Sequence, residues 1–111
     1  GELDSKYQFT YGEDPISQLE NYHANKCILS VDGISSAAGL TLYYANEASL
    51  VKKMIESSGT VIVIADSSKI GKNVFAKITD ASKVDELVTT STENKKELDS
   101  LHKLGIKIHE A

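Results

Sequence analysis

The run Thr60-Val61-Ile62-Val63-Ile64-Ala65, stopped by Asp66, constrains the fold more than any other stretch of this chain. It is β-branched and apolar, with no polar residue at alternate positions. An antiparallel strand with one wet face would alternate. An unbroken run instead predicts a strand buried on both faces, with a neighbour on each side, as in a parallel sheet covered by helices.

The surrounding punctuation agrees with that setting. Residues 27–31 form a second apolar, β-rich run, ended by Asp32-Gly33. Residues 35–39 read as a small-residue loop. Asn46 is placed to cap a helix whose apolar face carries Ala48, Leu50, Val51, Met54 and Ile55, and which Gly59 ends. Upstream, Asp14-Pro15 is a helix start, with Ile16, Leu19, Tyr22 and His23 at helical spacing, while residues 2–10 are mixed. Downstream, residues 70–80 are irregular and residues 86–90 form a weaker strand. Thr92 then caps a helix striped by Leu98, Leu101 and Leu104 and closed by Gly105, and Ile106-Lys107-Ile108 alternates as an edge strand does. The order helix–strand–helix–strand–strand–helix–strand predicts an α/β fold of Rossmann-like type. It has three layers: a mainly parallel sheet with helices on both faces.

At 111 residues there is room for one core. Cys27 excludes an internal disulfide and reads as a core thiol, since Ile28, Leu29 and Val31 surround it. His23, His102 and His109 are too scattered for a metal site. A net charge of −4 without a basic stripe argues against nucleic-acid binding by these residues. No apolar run approaches a membrane span and no signal peptide is legible, so a cytoplasmic location is expected. Opening on Gly1-Glu2-Leu3 without an initiator methionine, the chain reads as a piece of a longer protein.

In an open α/β sheet, ligands gather at the carboxyl ends of strands, where helix N-termini offer N–H groups to anions. Two polar clusters fall there: Asp32-Gly33, and Asp66-Ser67-Ser68-Lys69. Lys69 is placed to meet a phosphate, although Asp-Gly and Asp-Ser-Ser also make ordinary turns. On the helix between them, Glu47 suits the positive helix end, and Lys52 can pair with Glu56 across one turn. Glu47 and Lys52 stand roughly 140° apart around a helix, so the two do not face one small ligand together unless the helix begins later. No nucleophile elbow, phosphate-cradling glycine loop or Ser/His/Asp arrangement is present. No catalytic residue and no cofactor are therefore expected.

Taken together, Ser30-Val31-Asp32-Gly33-Ile34, Gly39-Leu40-Thr41, Glu47-Ala48 with Val51-Lys52 and Met54-Ile55, the stretch Val63-Ile64-Ala65-Asp66-Ser67-Ser68-Lys69-Ile70-Gly71, and the tail Leu104-Gly105-Ile106-Lys107-Ile108 resemble the C-terminal effector domain of DeoR-type transcription regulators. Gly1-Glu2-Leu3 and Tyr11-Gly12 look like that family's middle section, so the likeness covers the whole chain.

The resemblance implies a sensor domain related to ribose-5-phosphate isomerase, binding a phosphorylated sugar and self-associating as dimer or tetramer. It implies that DNA is contacted only through an N-terminal winged helix-turn-helix that these residues lack, and that the first half of the effector domain, with its Gly-Thr-Thr-like phosphate loop, is also missing. Asp32 then matches an aspartate of the isomerase's Gly-Ala-Asp-Glu motif, and Asp66 to Lys69 its Asp-Ala-Ser-Lys. The isomerase's catalytic glutamate maps to Lys52 or a neighbour, and a lysine cannot act as a carboxylate base. On this reading Asp32, Gly33, Glu47, Lys52 and Lys69 form a non-catalytic ligand site, with Asp32 accepting from sugar hydroxyls and Lys69 meeting the phosphate. A sugar-phosphate isomerase and a pure oligomerisation module are the alternatives.

Overall fold

The computed structural model describes residues 24–111. The helix expected from Asp14-Pro15 and the mixed opening at 2–10 lie outside the described residues. In chain order the elements are β1 (Ala24–Ser30), β2 (Gly33–Ser35), β3 (Gly39–Leu42), α1 (Ala45–Glu56), β4 (Ser58–Ile64), β5 (Ala76–Thr79), β6 (Glu86–Thr89), α2 (Lys95–Lys103) and β7 (Lys107–Glu110), with short 3-10 turns at Ser67–Lys69 and Ala81–Lys83.

The apolar run falls in β4, which has a parallel neighbour on each side, as its composition requires. The main sheet runs β1-β4-β6-β7 and is parallel throughout. This is the α/β class expected from the sequence. A second, antiparallel sheet of order β2-β3-β5 stands beside it. Both β2 and β3 fall in or beside the stretch read as a small-residue loop, and β5 falls within the stretch read as irregular. The strand signals there are short: Leu40-Thr41-Leu42 after Gly39, and Ala76-Lys77-Ile78, where the apolar residues are buried and Lys77 is exposed.

Burial along β4 is one-sided among the described residues. Val61, Val63 and Ala65 are almost fully buried, whereas Ile62 is half-buried and Ile64 is 46% exposed. The register explains the pattern. Cys27 pairs with Val61, Leu29 with Val63, and Val63 with Leu87, so these side chains share one face. The buried residues of both described helices, Val51 and Met54 of α1 and Leu98 and Leu101 of α2, belong to the same cluster as that face. Each fully buried leucine there contributes about 1.5–3 kcal/mol. The opposite face carries Ile28, paired with Ile62, and Ile64, paired with Val88, and it is partly open.

Local chemistry sets the helix ends differently from the sequence expectation. α1 begins after Tyr44, which gives no side-chain cap, and Asn46 lies inside the first turn. α2 is capped by Asn94, whose Oδ1 accepts from the Glu97 N–H at 3.3 Å, while Thr92 supports Asn94 itself. Leu104 falls at the C-cap and is 43% exposed rather than part of the buried stripe. Glu56 pairs with Lys53 at 3.8 Å instead of Lys52.

Candidate functional site

Parallel pairing puts two strand ends side by side. Ser30 lies opposite Ile64, and two residues further on come Asp32 and Asp66. Both acidic residues therefore leave the sheet at its carboxyl edge, the position where open α/β sheets bind ligands.

Asp32 is held by the hairpin it leads into. Its N–H donates to the Thr41 carbonyl at 3.1 Å, and its Oδ2 accepts from the Tyr43 N–H at 3.0 Å. One carboxylate oxygen is thus tied to the end of β3 and fixes the orientation of the other. Asp66 caps the 3-10 turn at Ser67–Lys69. Its Oδ1 accepts from the Ser68 N–H at 2.9 Å and from the Ser68 hydroxyl, and Lys69 Nζ stands 3.3 Å from its Oδ2. The Ser68 hydroxyl and N–H, and then the Lys69 ammonium, hold the Asp66 carboxyl below the usual carboxylate range. The turn is also anchored to the neighbouring strand, because the Ser67 N–H donates to Thr90 Oγ1 at 2.9 Å.

A third segment completes this edge. Residues 70–74 run along the β2–β3 hairpin. The Gly71 N–H donates to the Ile34 carbonyl at 2.7 Å, the Ser35 hydroxyl to Asn73 Oδ1 at 2.6 Å, and the Val74 N–H to Thr41 Oγ1 at 3.1 Å. Gly33 lets this segment approach. A Cβ there would overlap the Lys72 carbonyl oxygen and lie 2.7 Å from Thr41 Oγ1. The docking delivers Lys72 to the rim, with its Nζ 5.5 Å from the centre of the Tyr43 ring. Contact with the Tyr43 hydroxyl, followed by the charges of Asp32 and Asp66, holds the Lys72 ammonium above the ordinary lysine range.

The structure thus brings Asp32, Gly33 and Lys69 to one edge. Glu47 stands in the first turn of α1. Lys52 stands elsewhere, in a cleft of about 620 Å³ with Ser58, Thr79, Lys83 and Asp85 beside the amino-terminal ends of β4 and β6. The parallel strands separate that cleft from Asp32 and Lys69 by their own length. Sequence reasoning missed Tyr43 and Lys72, because both depend on the hairpin. The available signal was the short β-forming stretch at 40–43 following a glycine.

Among the described residues, no group of three or more His, Cys, Asp or Glu side chains is arranged to hold a metal ion. Likewise, no described helix is long and apolar enough to cross a membrane.

Comparison with known proteins agrees with the geometry. Residues 1–91 match the DeoR C terminal sensor domain. The HTH-type transcriptional repressor GlcR of Bacillus subtilis is 32% identical over 97% of this chain and 42% of its own length. The putative aga operon transcriptional repressor of Escherichia coli O157:H7 is 31% identical over 97% of this chain and 40% of its own. The glycerol-3-phosphate regulon repressor of Escherichia coli K12 is 29% identical over 80% of this chain and 35% of its own. The chain spans about two fifths of the length of the first two of these relatives, both named as transcriptional repressors. With its acidic strand ends set at the carboxyl edge of a parallel sheet and most of its length matched, the chain belongs to the DeoR C-terminal sensor domain family.

Proposed function

We propose that this chain is the ligand-reading part of a bacterial transcription regulator, most simply a repressor of a sugar-catabolism operon. In this reading it binds a phosphorylated sugar and alters DNA binding carried out by a helix-turn-helix outside these residues. The observation that carries the proposal is the side-by-side placement of Asp32 and the Asp66–Lys69 turn at the carboxyl edge of adjacent parallel strands. A hydroxyl-bearing ligand with one anionic group needs oriented acceptors for its hydroxyls and a cation for its charge, and this edge holds both. Asp32 is the hydroxyl acceptor and Lys69 contributes to the phosphate. The Gly33 backbone lets the rim close, and Glu47 braces the site from α1. Lys52, in the second cleft a strand's length away, lies outside this arrangement. Support also comes from a relative named for a glycerol-3-phosphate regulon.

Self-association accompanies this role. β1 is an edge strand among the described residues, and Ile28 and Ile64 are exposed on the open face. A second copy covering them would remove both liabilities.

The test is isothermal titration of the intact protein with a panel of sugar phosphates. Asp32→Ala and Lys69→Ala are each expected to weaken the best ligand. Binding of that ligand at wild-type strength by both variants would remove this edge as the site.

A further inference from the structure

The two lysines at this edge are not equivalent. Lys69 is already engaged: its Nζ lies 3.3 Å from Asp66 Oδ2 and 3.4 Å from the Ser68 hydroxyl, in an i,i+3 pair. Its charge is partly spent on closing the 3-10 turn. Lys72 has no described carboxylate within 4.0 Å, and its ammonium stands over the Tyr43 ring instead. Its backbone is fixed, because hydrogen bonds at Gly71, Asn73 and Val74 pin the segment on both sides to the hairpin that also orients Asp32. Position 72 is thus a cation on a rigid base, beside an exposed aromatic ring and the hydroxyl-reading aspartate.

We propose that Lys72 is the principal anchor for the anionic group of the effector, and that Tyr43, 48% exposed, forms the wall against which the ligand's carbon skeleton lies. Lys69 then makes the smaller contribution to the ligand's charge, because it also holds the Asp66 turn in shape. The assignment rests on the sugar-phosphate reading given above and names the group that reads the charge. The chemistry is simple. An ammonium–phosphate contact is a charge-assisted hydrogen bond, and the flat apolar face of a tyrosine suits the C–H face of a sugar. Asp32 and Asp66 oppose a ligand that carries charge away from Lys72, and so help to fix the direction in which it binds.

The intact protein is titrated with ribose 5-phosphate, glucose 6-phosphate, glycerol 3-phosphate, inorganic phosphate and unphosphorylated glucose. Lys72→Met, Lys72→Arg, Lys69→Met and Tyr43→Ala are compared with the wild type, with circular dichroism confirming that each variant folds. For the sugar phosphate that the wild type binds best, Lys72→Met is expected to weaken binding roughly tenfold or more, and by more than Lys69→Met, while Lys72→Arg retains most of it. Tyr43→Ala is expected to weaken binding of the sugar phosphate while leaving that of inorganic phosphate nearly unchanged. Wild-type binding that survives in Lys72→Met, or that is lost chiefly in Lys69→Met, overturns the assignment of Lys72 and leaves the sensor reading intact. A wild-type protein that binds none of the phosphorylated probes overturns both.

Discussion

Replacing Gly33 by alanine tests whether the hairpin and the 70–74 segment are packed as closely as described. The added methyl would overlap the Lys72 carbonyl oxygen, and it would lie 2.9 Å from the Lys72 carbonyl carbon and 2.7 Å from Thr41 Oγ1. Two of the three are backbone atoms, so no side chain can rotate away to relieve the overlap. Either the contact is overpacked, costing about 1–3 kcal/mol, or the segment retreats. Retreat endangers the Gly71–Ile34, Ser35–Asn73 and Val74–Thr41 hydrogen bonds, each contributing about 1 kcal/mol net. Both routes lead to a loss of about 1–3 kcal/mol, a large share of the roughly 5–15 kcal/mol that holds a domain folded. Equilibrium unfolding in urea reads this as a midpoint lowered by about 1 M or more. Gly105→Ala is the control. Gly105 has φ +97° with no described residue within 4 Å of the new methyl, so only backbone strain of about 1 kcal/mol is expected. Gly33→Ala changing stability by less than about 0.5 kcal/mol, or costing less than Gly105→Ala, would refute the close docking.

Three further outcomes are expected. Burial pushes the Cys27 thiol up to about 11 from an ordinary 9.0, with the Ser58 hydroxyl partly offsetting it. The protonated thiol therefore contributes stability that is complete below pH 9 and lost as pH rises to 11. Urea unfolding at pH 8.5 and 10.5 should show a larger drop for the wild type than for Cys27→Ala, and equal drops would contradict the assignment. Among the described residues Thr89 Oγ1 is buried with no hydrogen-bond partner, so Thr89→Val is expected to raise stability by about 1 kcal/mol, seen as a higher thermal midpoint. A lower midpoint would show that the hydroxyl is satisfied. Finally, Ile64→Lys places a charge on the open face and should shift light-scattering mass toward the monomer; unchanged mass would place the self-association surface elsewhere.

The main sheet was legible in the sequence because β4 carries a continuous β-branched run and β1 a largely apolar one, and because an aspartate two residues past each strand marks the sheet's carboxyl edge. The two helices were legible from their apolar spacing, although their starts were not. Tyr44 opens α1 without a cap, so the polar Asn46 drew the boundary two residues late. The small sheet was not legible. Its strands are only three or four residues long, and such short runs are stabilised by tertiary pairing more than by their own propensity. Gly33 and Gly39 make the stretch read as a loop, yet both are required by close backbone approach, to Lys72 and to Thr79 respectively. Helical arithmetic already separated Glu47 from Lys52. The structure widens that separation, because α1 runs back along the sheet and carries Lys52 to the cleft beside Lys83 and Asp85.

The same hairpin that escaped sequence reasoning links the candidate site to the rest of the fold. At its base Asp32 is tied to Tyr43. Along its length the backbone of 70–74 is docked. At its turn the Ser36 N–H and hydroxyl donate to the Glu97 carboxylate of α2 at 3.1 and 2.9 Å. Each contact is modest alone, about 1 kcal/mol for a neutral hydrogen bond and more where a carboxylate accepts. Together they make the hairpin a lever between the candidate site and α2. A ligand that draws Asp32 or Lys72 toward itself must either leave this lever in place or move α2 with it. Sensing requires a difference in contacts between two states rather than binding alone, and the Ser36–Glu97 pair is one of the contacts that join this hairpin to an element outside the edge.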